Sequence, residues 1–279
     1  MRLILSRKGF DSSSGGCPSP IFPDGSMIAL PIPDKRSPIR YRELKWRGRN
    51  LGDVVSKLTR GKQRSDYRAH LDPDLRKDIC RRLPDWLPTL GQHRAAQGHL
   101  RNQGVGVGDL FLFWAVFRAV DDELKWKGRP EHHIWGWFQV GAVAPVDEVV
   151  RRGGKEWRWA RKHPHLSFKP DRTNTLYVAS KRLSLPGKRR VAMPGSGVFD
   201  FVDNVRRLTA PESKKPSEWS LPVGFLPKGR PPLSYHRSPD RWSKRSDRVH
   251  LHCVAKGQEF VLNLNLYPEL NNWLLAVIS

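Results

Sequence analysis

Cysteine is scarce in this 279-residue chain: Cys17, Cys80 and Cys253, with no CxxC spacing. So sparse and odd a set argues against a disulfide framework or a zinc ribbon and fits a reducing compartment. Acidic residues are short as well, with 27 Asp+Glu against 50 Lys+Arg and a formal net charge of +23. Long apolar runs are lacking. No stretch approaches the ~18 apolar residues of a membrane span. The opening MRLILSRKGF holds only Leu3-Ile4-Leu5, whereas a signal h-region needs about 7–15 apolar residues. The expectation is a cytoplasmic protein with no membrane partner, opening on a strand.

The basic excess is not a tail. Residues 1–140 carry 25 basic and 15 acidic residues, and residues 141–279 carry 25 and 12. A folded body this basic repels itself unless a polyanion is its partner. Phosphate backbones are the usual such partner; a GC-rich genome or an acidic protein partner is the competing explanation. Eleven Trp and eleven Phe speak against disorder, since disordered chains are poor in aromatics.

The local pattern predicts an α+β fold. Its central sheet is mixed or antiparallel, open or closed as a barrel, with peripheral helices and long irregular loops. Strands are expected at Leu3–Leu5, Leu110–Arg118, His133–Val143, Leu176–Ser180 and Gln258–Leu264. A hairpin is expected over 21–33, turning at Pro23-Asp24-Gly25-Ser26. Helices are expected over 50–60 after Asn50, over 73–83 with Pro73 in the first turn, and over 267–275. Residues 186–248 read as irregular but ordered. We expect one unit over 1–279, made of an N-terminal αβ lobe (1–100), a sheet core (101–185) and an irregular basic segment with a closing strand and helix (186–279).

Several segments carry possible chemistry. The loop after the first strand, Arg7-Lys8-Gly9-Phe10-Asp11-Ser12-Ser13-Ser14-Gly15-Gly16-Cys17, has the small residues that let backbone N–H groups cradle a phosphate. Arg7, Lys8, Gly9, Ser12, Ser13, Gly15 and Gly16 are the ligand-binding set there. Asp11 is a proton-transfer group, and Cys17 a nucleophile if nearby cations lower its pKa. The spacings match neither a P-loop nor a dinucleotide fingerprint, so a plain tight loop competes. His70-Leu71-Asp72-Pro73-Asp74 joins an imidazole to two carboxylates for acid/base or metal work. An Asp72 N-cap before Pro73 is the structural alternative, and His70 stays open as a catalytic residue.

His132-His133 and His163-Pro164-His165 are further pairs, but no third ligand stands at a motif spacing. Metal ligands are therefore assigned to none, and no cofactor is named. Arg151, Arg152, Lys155, Arg158, Arg161 and Lys162 interleave with Trp157 and Trp159. Cations there would track phosphates while aromatic faces stack on bases; a solvated helix with Trp157 packed inward is the alternative.

Together, LILSRKGFDSS-GGCPSPIFPDG-MIALPIPD, HLDPDL, GVGDLFLFW-x-FR, IWGWFQVG, HPHLSF, NTLYVAS and GQEFVLNLNLYPELNNWL resemble the third type of nucleotide modification associated domain, over roughly 1–275. That resemblance implies a role in DNA base modification systems of bacteria and phages, with nucleic acid, DNA foremost, and other proteins of such a system as partners. The block at 104–180 is separately similar, more loosely, to PUA-like barrels of the ASCH and EVE kind. This implies that Asp109 turns the chain into a barrel and that Trp114, Trp135, Trp137 and Gln139 line a base pocket. Period two puts Trp135, Trp137 and Gln139 on one strand face. Three functions follow: a base- or nucleotide-modifying enzyme, a non-catalytic reader of modified bases, or an accessory subunit that binds a modification enzyme.

Overall fold

The computed structural model describes residues 1–152, 155–185, 192–255 and 257–279, without the side chains of Arg152 and Lys155. The first strand, β1 (Arg2–Arg7), is buried from Leu3 to Ser6, as a strand covered on both faces requires; it runs antiparallel to the strand at Glu259–Asn263 and parallel to the one at Leu110–Ala119. It is followed by the short strands β2 (Ser19–Ile21), β3 (Ile32–Pro33), β4 (Lys45–Trp46) and β5 (Arg49–Asn50). Helix α1 (Leu51–Leu58) comes next, with the Asn50 side chain accepting the Gly52 N–H as its N-cap, as the sequence predicts. Then come β6 (Ala69–His70), β7 (Thr89–Gln92) and α2 (Arg94–Asn102).

The two long strands are β8 (Leu110–Ala119) and β9 (Glu131–Pro145). They pair antiparallel, with Leu110 opposite Gln139 and Phe117 opposite Glu131. Helix α3 (Val146–Arg152), β10 (Thr175–Ala179) and β11 (Ser196–Val198) follow. The main sheet runs β15-β1-β8-β9-β10-β7, with β15 at Glu259–Asn263. β1 and β2 lie one after the other along β8, both parallel to it, and β11 flanks β9. The closing helix is α4 (Asn271–Ile278).

The fold is thus α+β around a mixed sheet. No backbone ladder joins β15 to β7 among the described residues, so the sheet is open and the PUA-like closure is absent. The two edges nonetheless meet through side chains, because Gln92 of β7 donates a hydrogen bond to Glu259 of β15. Asp109 does fix the entry to β8: its carboxylate accepts the N–H groups of Arg2 and Gly106. No helix among the described residues is long and apolar enough to cross a membrane.

Three expectations need correction. Residues 73–83 are not a helix. Asp74 instead exchanges backbone hydrogen bonds with Thr89, and its carboxylate holds Arg82. In the 21–33 segment the Phe22–Ser26 turn forms and Ile21 bridges Met27 antiparallel, but no strand continues to Leu30; Ile32–Pro33 pairs with His70 and Ala69 instead. The stretch 186–248, read as irregular, supplies two strands, β12 (Glu218–Pro222) and β13 (Trp242–Arg245), which flank β14 (Arg248–His252) in a three-stranded antiparallel sheet. Its alternation was hidden by the Pro, Arg and Lys of its turns and exposed faces.

Two hydrophobic clusters are the largest of the four among the described residues. The larger holds β1, β8, β9, β15 and α4 side chains with Trp114, Trp219 and Phe260. The smaller packs Phe10, Cys17, Tyr41 and Trp46 on the apolar face of α1.

Candidate functional site

Where the open edges of the sheet approach each other, the molecule has a cavity of about 500 Å³. The end of β1 supplies Arg7, Lys8 and Gly9. The start of β15 supplies Glu259, β7 supplies Gly91 and Gln92, and α2 begins at the rim with Arg94, Ala95 and Ala96. The β3/β6 ladder brings in Asp34 and His70, followed by Asp72, while His165 and Phe168 come from the segment before β10. That size suits a small organic ligand.

The floor is a dense ionisable cluster. Asp72 is its hub: Oδ1 accepts the Gly91 N–H at 2.6 Å and lies 3.4 Å from His163 Nε2. Oδ2 lies 3.2 Å from Lys8 Nζ, 3.9 Å from His70 Nε2 and 4.0 Å from His165 Nε2. Burial works against this carboxylate, but the Lys8 ammonium and the hydrogen bond from His163 hold it well below its usual range. His70 Nδ1 contacts Asp34 Oδ2 at 3.0 Å. Asp34 is buried in part, yet its bonds to His70 and Arg36 draw its pKa down. His165 Nδ1 contacts Asn174 Oδ1 at 2.6 Å, while Asn174 Nδ2 donates to the His165 carbonyl. Burial lowers the His165 imidazole to about 3, so the ring is neutral at ordinary pH.

Glu259 lies at the opposite wall, 1% exposed. Burial raises its carboxyl to about 7 despite the opposing pull of Lys8, which puts it where a group can both give and take a proton at neutral pH. The rim is basic and aromatic. Side chains of Arg36 and Arg94 are 50% and 76% exposed, and Arg36 lies over the Phe168 ring at 4.0 Å. Phe168 stacks on His70, and the Tyr235 ring packs tilted against His99 at 4.5 Å.

The residues singled out by motif divide sharply. Arg7, Lys8, Gly9, Asp11 and His70 all line the cavity. Ser12, Ser13, Gly15 and Gly16 lie in a turn that folds on itself. Asp11 Oδ1 accepts the Ser13 N–H, the Ser13 hydroxyl and the Ser14 N–H, and the Asp11 carbonyl accepts the Gly16 N–H. Those donors are spent inside the loop. Gly15 is required by contact, since a Cβ there would sit 2.4 Å from the Phe10 ring, at a φ of +98°. Cys17 belongs to the smaller core, and burial pushes its thiol up to about 11, the reverse of an activated nucleophile. Asp72 does not cap a helix.

On β9 the expected base pocket is filled by protein. Phe113 stands opposite Gly136 and Trp114 opposite Ile134, so Trp135 is an extra residue that breaks the period-two face. His132 to Val140 are buried throughout. Trp135 Nε1 donates to the Lys8 carbonyl, and Trp137 Nε1 to the Pro194 carbonyl. Gln139 Nε2 donates to the Gly108 and Ser184 carbonyls, while its Oε1 accepts the Ser184 N–H. Trp114 packs against Trp219 and His132. His132 accepts from Trp219 Nε1, and His133 pairs with Glu131; the two adjacent rings serve separate partners.

Arg151, Arg158, Arg161 and Lys162 are exposed, away from the cavity; the side chains of Arg152 and Lys155 lie outside the described residues. Trp157 and Trp159 stack on each other at 5.7 Å, with Trp159 buried. Asp34, Arg36, His93, His99, Tyr235 and Glu259 carry no motif signal. HxD at 70–72 and HxH at 163–165 were visible, but only the fold brings them to one point.

Fold and site together define an α+β protein whose open-edged sheet cradles an ionisable, basic-rimmed cavity. The family model for nucleotide modification associated domain 3 matches residues 2–263, and the chain belongs to that family. No curated protein and no solved structure matches it.

Proposed function

We propose that the chain is a nucleotide-modifying enzyme that takes a nucleotide unit of a nucleic acid, DNA foremost, into this cavity. The observation that carries the reading is the lining of the site: the largely covered side chains of Lys8, His70, Asp72, His165 and Glu259 share the cavity with exposed Arg36 and Arg94 and with Phe168 and Tyr235. Membership of the family supports a nucleotide as the substrate class. The rim suits phosphate, which the first turn of α2 also favours through its N-terminal N–H groups. The rings of Phe168 and Tyr235 offer stacking faces to a base. Glu259, near neutral pKa, is the proton-transfer group in this reading, and the Asp72 cluster holds the reacting atoms and compensates charge. The exposed cations at Arg151, Arg158, Arg161 and Lys162 would track the rest of the strand.

The test is calorimetric titration with the deoxy- and ribonucleoside monophosphates and with short single-stranded DNA and RNA. Binding is expected, with Tyr235→Ala weaker than wild type by about 1–3 kcal/mol, the usual worth of a stacked base. Absence of binding to every nucleotide and oligonucleotide, or equal binding by Tyr235→Ala and Arg94→Gln, overturns it.

A further inference from the structure

We propose that His70, Asp72 and His165 bind a divalent first-row transition-metal ion at the floor of the cavity. The inference rests on this cavity being the functional site, but it concerns the ion and not the nucleotide. One donor atom from each residue lies within 4.8 Å of the other two. Metal–ligand bonds of about 2.0–2.2 Å place neighbouring donors roughly 3–3.5 Å apart. Inward shifts of about an ångström therefore close the set.

The orientation of each donor points the same way. His70 turns Nδ1 to the Asp34 carboxylate, and His165 turns Nδ1 to the Asn174 amide oxygen. Both acceptors fix the N–H on Nδ1, which leaves the Nε2 lone pair of each ring directed at Asp72 Oδ2. Outer partners of this kind commonly orient metal-ligating histidines. Asp72 Oδ1 is engaged by Gly91 and His163, so the carboxylate offers one oxygen. Two imidazoles and one carboxylate on one side, with the cavity on the other, suit zinc, iron or manganese with open positions for a ligand; hard cations such as calcium prefer all-oxygen sets. Lys8 Nζ, 3.2 Å from the same oxygen, is the competing cation. Bound metal and a Lys8–Asp72 ion pair exclude each other at close range, so removing the ammonium favours the metal.

The experiment titrates chelator-treated full-length protein with Co²⁺, followed by visible d–d absorption, and with Zn²⁺ by calorimetry. One equivalent is expected. His70→Ala and the outer-sphere Asp34→Asn should each weaken binding tenfold or more, and Lys8→Gln should tighten it. His70 lies at the cavity surface, so its variant also guards against a folding defect in His165→Ala; circular dichroism checks both. Wild type without stoichiometric uptake overturns the proposal, including the case in which Lys8→Gln alone takes metal, for then the ammonium is the resident cation. Unchanged affinity in both His70→Ala and Asp34→Asn overturns it too. Nucleotide titration of the same preparation separates the readings: nucleotide bound without metal removes this inference alone, and metal bound without nucleotide removes the proposed function alone.

Discussion

Two regions bury polar side chains in this molecule, and they do so differently. On β9, Gln139 is 3% exposed, and its amide meets backbone groups on every side. At the cavity floor, Asp72, Lys8, His163 and His165 meet mostly one another, next to open space. A buried polar group matched by backbone is a structural tie, with nothing left to offer a ligand. Buried charges compensated only by other charges are costly. Such clusters in a cleft are where perturbed pKa values and function coincide.

The largest effect that can break this comparison is at the hub. Asp72→Ala leaves Lys8 without its buried counter-ion and should cost about 3–5 kcal/mol of stability, the usual penalty for removing one member of a buried pair. Chemical denaturation measures it. A loss below ~1 kcal/mol would mean that water reaches the cluster and that the floor is not a buried charge network. Next in size is Gln139→Ala, which strands two carbonyls and one N–H. It should cost about 1–3 kcal/mol, read as a lower Tm, while nucleotide affinity stays at the wild-type level. Lost nucleotide selectivity with unchanged Tm would reverse the contrast and return the base pocket to β9.

Why was one region misleading and the other half-visible in sequence? The β8–β9 pair is legible because long aromatic runs form interior strands wherever they fall, and its limits came out nearly right. Its face assignment failed at Trp135, because a bulge inserts one residue and no residue type there announces it. The Asn50 cap was legible because it is a contact between residues two apart. The floor is the opposite case. His70, Asp72 and His165 each stand in a visible motif, but their meeting depends on the β3/β6 ladder and the turn before β10, both non-local. Glu259 stands in a strand of plain apolar pattern, and only the approach of Gln92 across the sheet edges marks it. The composition of the 7–18 loop marks it in the sequence. Its first residues do reach the cavity, while its serines and glycines serve the loop's own turn.

A smaller effect concerns pH. The Glu259 carboxyl is raised by burial to about 7 in the folded chain, against an ordinary value of 4.5. Between these values the folded state keeps a proton that the unfolded state releases, so stability falls as pH rises through that window and levels off above it. Glu259→Gln, which keeps an acceptor for Gln92, should flatten this decline and melt above wild type at pH 8. Parallel thermal melts from pH 4 to 8 measure it. If both proteins show the same decline, Glu259 is ionised throughout and is not the proton-transfer group.

The smallest effect separates the rim from the distant basic strip. Arg94 and Arg158 are both exposed, so neither Arg94→Gln nor Arg158→Ala should change stability by more than about 0.5 kcal/mol. Their binding signatures should differ. Arg94 stands at the cavity, where a mononucleotide's single phosphate would sit, so its loss should weaken mononucleotide and oligonucleotide alike. Arg158 is outside the cavity and can meet only a longer strand. Its loss should leave mononucleotide affinity alone and reduce the slope of log affinity against log salt by about 0.7 for single-stranded DNA, the signature of one phosphate contact. Calorimetry with a mononucleotide and a salt series with an oligonucleotide give both readings. If Arg158→Ala weakens the mononucleotide as much as Arg94→Gln does, the strip and the rim belong to one surface, and the cavity is not the place where the nucleotide is held.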